Sequence, residues 1–154
     1  MRVHMALAKT SKLLVVVLTA VALTLSATTL AVLNVNQNLG SSGNITTSPN
    51  VGVYSDSACT TNMTSINWGS VAAGSSAQQT VYVKNTGTGT ITLGLAASNW
   101  NPSTASTYIT VSWDQQGTQL APGHSVTAVI TLTVSSNITG ITTFSNTISI
   151  TGSQ

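Results

Sequence analysis

The sequence predicts an all-β protein, a sandwich of about seven antiparallel strands that follows an N-terminal apolar helix. Three observations favour this class. From residue 51 onwards, apolar and polar side chains alternate with a period of two. β-Branched residues dominate the alternating stretches, and Gly, Pro, Asn and Ser separate them at short intervals. An up-and-down β-barrel is the alternative architecture.

The first element, residues 1–33, is predicted to be a signal peptide or a membrane anchor. Arg2, Lys9 and Lys12 precede an uncharged apolar run over residues 13–33, the order of a secretory leader. A run of this length also suffices to span a bilayer if it is not cleaved. Both outcomes predict an extracellular or cell-surface location for the rest of the chain, since the basic flank stays inside.

The second element, residues 34–50, is predicted to be an extended arm or linker. Its sequence, NVNQNLGSSGNITTSPN, is polar and rich in Gly, Ser and Asn, with few apolar side chains. Residues 51–154 then form the predicted sandwich domain, and the 154-residue chain is expected to hold one such domain.

Seven stretches of the sandwich domain alternate as strands with one buried face. Their predicted inward residues are Val51 and Val53; Ile66 and Trp68; Val81 and Val83; Ile91, Leu93 and Leu95; Ile109, Val111 and Trp113; the even-numbered residues from Val126 to Val134; and Phe144, Ile148 and Ile150. Residues 80–98 are predicted to be a β-hairpin, because the turn sequence NTGTG separates two of these strands. Strands and turns in this number are typical of an immunoglobulin-like sandwich.

Charged side chains are nearly absent beyond the leader. Lys84 is the only Lys or Arg after residue 12, and Asp56 and Asp114 are the only acidic residues. The basic character of the whole chain therefore belongs to the leader, so nucleic-acid binding is not expected.

No constellation of catalytic residues is evident, and we expect neither enzymatic activity nor a cofactor. Asp56 and Asp114 lie in separate connections, so nothing pairs them as a general acid and base. Asp114 and His124 flank one connection between strands and could contribute to a Ser/His/Asp triad, but no motif presents a nucleophilic serine. A single His and a single Cys are too few for a zinc site, and a calcium site at Asp56 would lack a recognisable motif.

Five residues are candidates for modification or contact. Asn44, Asn62 and Asn137 each begin an Asn-x-Thr sequon and are candidate glycosylation sites. Trp100 lies in a predicted connection that contains Pro102 and is the candidate exposed aromatic contact for a glycan. Cys59 is the only cysteine and therefore an unpaired thiol within the chain. We expect it to be buried, with a bridge to another chain or a reactive thiol as the alternatives.

Uncharged strands beside an arm suggest assembly. Sheet edges are normally protected by charges, because an unprotected edge pairs with other chains. A strand donated by the arm of one subunit to the sheet of the next would produce a head-to-tail filament. Val35, Leu39 and Ile45 are the candidate donor-strand residues. Self-association into filaments is therefore the expected partnership, besides membrane contact through residues 13–33 if they are retained.

The motifs carry a resemblance that covers the whole chain in layout. The series LGSSGNI, VGVYSDSACTT, INWGS, VYVKNTGTGTITL, NWNP, YITVSW, LAPG and FSNTISITG resembles small archaeal exported immunoglobulin-like proteins. It is more distantly similar to the donor-strand subunits of archaeal threads and bundling pili, and to the TasA/camelysin class of matrix fibres. The resemblance implies a structural subunit of an extracellular filament, pilus or matrix. A membrane-anchored module that binds a glycan or a partner protein is the alternative.

Overall fold

The computed structural model describes residues 38–48 and 50–154, and they form an all-β fold of two sheets. The predicted N-terminal helix, the leader and Val35 lie outside the described residues. The elements in chain order are β1 Asn38–Thr47, β2 Val51–Tyr54, β3 Ser65–Ala72, β4 Ser76–Asn85, β5 Ile91–Asn101, the short helix α1 Ala105–Tyr108, β6 Ile109–Trp113, β7 Gln119–Leu120, β8 Ser125–Val134 and β9 Thr143–Ser153.

Sheet A has the strand order β3-β1-β9-β5-β7, and sheet B has the order β2-β4-β8-β6. All pairs are antiparallel except β1 with β9, which run parallel from Gly40 beside Thr143 to Thr47 beside Ile150. The prediction of a purely antiparallel fold is wrong at this pair. The first and last strands of the described chain therefore lie side by side within sheet A.

All seven stretches that alternate in the sequence form strands, and their inward residues build the core. The structure adds β1 and the two-residue β7 to the predicted set, together with α1. The largest fully buried side chains are Leu39, Ile66, Ile91, Leu93, Ile109, Ile130, Leu132, Ile148, Ile150, Val81, Val83 and Val134. They come from both sheets, so a single apolar layer joins the two.

Residues 38–47 differ from their predicted place in an arm. They form β1, which pairs with β3 on one side and with β9 on the other. Leu39 is fully buried. The physical reason is that a strand needs only backbone pairing and a face small enough to fit, and the inward positions of β1 meet both conditions with few large apolar side chains.

The predicted hairpin over residues 80–98 is wrong. β4 belongs to sheet B and β5 to sheet A, so the intervening loop crosses between the sheets. Asn85 fixes this crossing: its buried Nδ2 donates to the carbonyl oxygens of Gly89 at 2.8 Å and Leu120 at 2.9 Å. Its Oδ1 accepts a hydrogen bond from the Gly87 N–H at 2.9 Å. A buried side chain, and not the turn sequence alone, sets the course of the loop.

Candidate assembly site

Strand β1 is an internal strand of sheet A with an unusually small inward face. Leu39, Ser41, Gly43 and Ile45 alternate towards the core, and of these only Ile45 is partly exposed. Of its outward residues, Gly40, Ser42, Asn44 and Thr46 are exposed. Because β3 and β9 both pair with it, removal of β1 would open two strand edges and uncover part of the core.

Residues 48–50 connect β1 to β2, and hydrogen bonds hold the two described residues of this link, Ser48 and Asn50. The Ser48 N–H donates to the carbonyl oxygen of Ile150 at 3.2 Å. The Ser48 hydroxyl oxygen accepts a hydrogen bond from the Gly152 N–H at 3.0 Å, and the Asn50 carbonyl accepts one from the Thr86 N–H at 2.9 Å. β1 belongs to sheet A and β2 to sheet B, so the chain changes sheets between these two strands.

Buried polar atoms without a partner are concentrated around β1. Among the described residues they are Ser41 Oγ, Trp68 Nε1, and both Nδ2 and Oδ1 of Asn146. Ser41 belongs to β1, Trp68 to its neighbour β3, and Asn146 to its other neighbour β9. Each such group costs about 1–3 kcal/mol when left unpartnered. The place of β1 in sheet A is therefore the least well satisfied part of the described fold.

The edge strands carry no charge. Sheet A ends at β3 and β7, and sheet B ends at β2 and β6; none of the four contains Asp, Glu, Lys or Arg. The outer edge of β2 is partly covered by the chain that follows, because the Met63 N–H donates to the Val53 carbonyl at 2.9 Å. β3 is eight residues long and is interrupted by a bulge opposite Ser41 and Ser42, the kind of irregularity that limits uncontrolled edge pairing.

An open cleft of about 280 Å³ lies where the end of β1 meets β2 and residues 62–64. Ile45, Val51 and Met63 contribute apolar side chains to it, and Thr47 and Asn62 contribute polar ones. It therefore lies beside the carboxyl end of β1, next to residues 48 and 50.

The three sequon asparagines are all exposed, although in different surroundings. Asn44 lies in the middle of β1, between Ser65 of β3 and Thr147 of β9. Asn62 forms an isolated antiparallel bridge with Tyr54 of β2. Asn137 lies in the connection between β8 and β9. The structure therefore places all three side chains at the surface, and no two of these asparagines are register partners.

Trp100 and Cys59 are both only partly exposed. The prediction that Trp100 lies in a connection is wrong, because this residue belongs to β5. The Trp100 ring packs against Phe144, with centroids 5.9 Å apart and planes tilted by 35°, so a large part of this candidate contact belongs to the edge of the core. Cys59 is a free thiol of intermediate exposure. The expectation that Cys59 is buried is therefore wrong, since the residue is partly exposed. It lies in a surface turn, where its φ is 53°.

Both carboxylates accept hydrogen bonds from backbone amides in separate loops. The Asp56 carboxylate accepts one from the Thr61 N–H at 2.6 Å and others from Thr60. The Thr61 amide is the main cause that lowers the pKa of Asp56 below its ordinary value. Asp114 Oδ1 accepts one from the Val129 N–H at 2.9 Å. Asp56 therefore closes its own loop, and Asp114 ties the end of β6 to the neighbouring strand β8.

Within residues 38–48 and 50–154, no three His, Cys, Asp or Glu side chains lie close enough to hold a metal ion. The same part of the chain contains no helix long and apolar enough to cross a membrane. No protein-family model and no curated protein matches this sequence. The candidate site therefore stands on the geometry of the described residues.

Two groups of residues escaped the sequence analysis. The polar atoms around β1 were missed because Ser41 and Asn146 occupy inward positions of strands, which alternation alone assigns to apolar side chains. Tyr54 and Tyr82 were not singled out, yet they are direct partners on neighbouring strands of sheet B. A search for aromatic residues at outward positions would have found both, but their pairing depends on register.

Proposed function

We propose that this protein is a structural subunit of an extracellular cell-surface filament or matrix, assembled by exchange of strand β1 between copies. One observation carries the proposal: β1 is the first strand of the described chain, lies inside sheet A between β3 and β9, and is joined to the later described strands by residues 48–50. A strand in this position can leave one sheet and complete another without any other element changing place.

The length of the link limits the geometry of assembly. Three residues span about 10 Å when extended, so a donated β1 reaches only a neighbour that abuts the 48–50 end of the sandwich. Each subunit receives a strand in sheet A and donates its own, which produces a head-to-tail polymer without a closing step. A link this short supports a fixed spacing between subunits, whereas a long flexible link would let the spacing vary.

The polar atoms around β1 support local opening. Ser41 Oγ and the Asn146 amide lack hydrogen-bond partners in their buried positions. The pairing of β1 within sheet A is therefore less stable than that of a strand whose buried polar groups all have partners. Segments of low local stability are the ones that open while the rest of a domain stays folded. The exchange of β1 is therefore less costly than the exchange of a strand such as β8, whose inward residues Ala128, Ile130 and Leu132 are fully buried and apolar.

The scarcity of charge supports close packing of subunits. Lys84, Asp56 and Asp114 are the only Lys, Arg, Asp or Glu residues after residue 12, and the four sheet edges contain none of them. Subunits can therefore approach without desolvating ions or aligning like charges. The proposal includes an immunoglobulin-like sandwich, export through residues 1–33 as a signal or anchor, and a role without catalysis.

A pair of introduced cysteines tests strand exchange directly. Ser42 of β1 is the register partner of Ser145 of β9, and both are exposed. The variant Ser42→Cys with Ser145→Cys, made in a Cys59→Ser background, is oxidised after assembly and separated under denaturing, non-reducing conditions. Strand exchange predicts a covalent ladder of multimers, since Ser42 of one copy then faces Ser145 of the next. Oxidation of the monomer before assembly should instead lock β1 in place and prevent filaments.

The matched control places both cysteines on strands that do not exchange. Ala96 of β5 is the register partner of Ser149 of β9, so the Ala96→Cys with Ser149→Cys variant should run as a monomer and still assemble. Filaments whose Ser42/Ser145 variant runs only as a monomer would exclude strand exchange. Electron microscopy of the purified native protein showing only single particles, at all concentrations, would exclude the filament role itself.

A membrane-anchored binding module is the second candidate, and the cleft beside β2 favours it. The cleft is open and has both apolar and hydrogen-bonding walls, including Met63 and Asn62. This role predicts a monomeric protein that retains residues 13–33 and loses binding of its glycan or protein partner when Met63→Ala and Thr47→Ala alter the cleft. Unchanged binding in that double variant would remove this candidate.

A further inference from the structure

A row of side chains crosses the outer face of sheet B from a sequon to two aromatic rings. Asn62 forms an antiparallel bridge with Tyr54, Tyr54 is the register partner of Tyr82, and Tyr82 is the register partner of Thr127. Register partners point to the same face of a sheet and lie about 5 Å apart. The buried residues Val53 and Val83 alternate with the tyrosines, so the row faces outwards.

The ring of Tyr54 lies against the sheet because residue 52 is glycine. A Cβ atom placed on Gly52 would come within 2.5 Å of the Tyr54 hydroxyl oxygen and 2.6 Å of its Cε2. The ring therefore occupies the space that a side chain at position 52 would take. Tyr54 and Tyr82 are both half-exposed, so each keeps part of its ring available to solvent.

Neither of the other two sequon asparagines has an aromatic register partner. Asn44 has Ser65 and Thr147 as its register partners, and Asn137 lies in a connection outside the strands. Asn62 alone among the three asparagines has an aromatic residue directly opposite it. Both Asn62 and Thr64, the two residues that define its sequon, are exposed.

We infer that Asn62 carries an N-linked oligosaccharide whose first two sugars lie across Tyr54 and Tyr82. The C–H-rich face of a sugar ring is apolar and complements the negative face of an aromatic ring, and the hydroxyl of Thr127 continues the row as a hydrogen-bonding group. Strand spacing places Tyr54 one step and Tyr82 two steps from Asn62. The tyrosine pair thus acts as a platform for a glycan of the same chain.

The attachment is an ordinary glycosyl transfer. Nδ2 of Asn62 forms a bond to the anomeric carbon of an oligosaccharide that is supplied on a polyprenyl phosphate or diphosphate, by an oligosaccharyltransferase. The anomeric C–O bond to the phosphate breaks, the lipid phosphate leaves with the electron pair, and the amide nitrogen loses one proton. The inference shares export with the proposed function, but it does not depend on strand exchange, since none of the residues in the row belongs to β1.

The test begins with the full chain purified from its native host. Mass spectrometry of the peptide that contains Asn62 should find a glycan on it. The thermal midpoint of unfolding is then compared for Asn62→Gln, for Tyr54→Ala with Tyr82→Ala, and for all three changes together. Loss of the glycan should lower Tm by about 3 °C in the wild-type background, and by nothing beyond error once both tyrosines are absent.

Asn44→Gln and Asn137→Gln are the matched controls, because neither asparagine has an aromatic register partner. Their effect on Tm should be the same with and without the tyrosines. Tyr54→Phe keeps the ring and should preserve the effect of the glycan. An unmodified Asn62 overturns the inference, and so does a Tm loss in Asn62→Gln that is unchanged by removal of the tyrosines. Filaments can form or fail in either case, so the two proposals fail separately.

Discussion

Gly43 of β1 lies directly beside Asn146 of β9, and a Cβ atom on Gly43 would come within 2.9 Å of the Asn146 Oδ1. That amide is 4% exposed and has no hydrogen-bond partner at either end. The contact between β1 and β9 therefore combines close packing with a buried amide that has no hydrogen-bond partner. The two features can be tested separately.

Gly43→Ala should lower the free energy of unfolding by about 2 kcal/mol, because the new methyl group meets Asn146 and, at 3.3 Å, Ile148 Cδ1. Gly40→Ala is the matched control on the same strand, where the nearest atom, Thr143 Cγ2, is 3.8 Å away. That change should be neutral or stabilise by about 0.5 kcal/mol. Urea unfolding of both variants measures the difference, and equal effects would contradict the packing of β1 against β9.

Asn146→Leu and Asn85→Leu should have opposite effects, although both asparagines are buried. Leucine at 146 removes an amide without partners and should raise the free energy of unfolding by about 1 kcal/mol. Leucine at 85 leaves the carbonyl oxygens of Gly89 and Leu120 without their donor and should lower the free energy of unfolding by about 3 kcal/mol. Chemical denaturation of the two variants provides the comparison. A loss of stability in Asn146→Leu would mean that its amide is satisfied.

The loop that begins at Asp56 should lose order in acid. The Thr61 amide is the leading cause that lowers the pKa of Asp56 from 3.8, against a smaller opposing effect of desolvation. A lowered folded-state pKa means that the carboxylate stabilises the loop above pH 3.8, and that this stabilisation disappears as the pH falls through the lower, folded value. The Thr61 amide resonance should therefore titrate with a midpoint below 3.8. Asp56→Asn should abolish that titration, and a midpoint above 3.8 would contradict the hydrogen bond.

Cys59 should react with a maleimide reagent in the folded protein, because its thiol is half-exposed in a surface turn. Labelling should reach one thiol per chain without denaturant, since the chain has one cysteine. Cys59→Ser supplies the unlabelled control, and the denatured protein supplies the maximum. Labelling that requires denaturant would mean that the thiol is buried, and labelling that requires a reductant would mean that it is bridged to another chain.

The alternation of side chains was sufficient to find the seven main strands and most of the core. Val81 and Val83 face inwards in the structure as the sequence predicted, and so do Ile130 and Leu132. Alternation reports which face of a strand is buried, and burial of apolar area is a local property of each stretch. Partner strands are a different matter, because they depend on contacts between residues far apart in the chain.

β1 and the loop after β4 demonstrate that limit. Residues 38–47 contain glycine and serine where a strand usually has large apolar residues, so only backbone pairing with β3 and β9 makes them a strand. The NTGTG loop would suit a hairpin, yet the hydrogen bonds of Asn85 with Gly89 and Leu120 direct it into the other sheet. The sequence by itself determined the fold class, the inward faces and the scarcity of charge. Only the tertiary structure decided that β1 completes sheet A, that Asn146 lacks a partner, and that Asn62 faces Tyr54, because each depends on which strands become neighbours once the core closes.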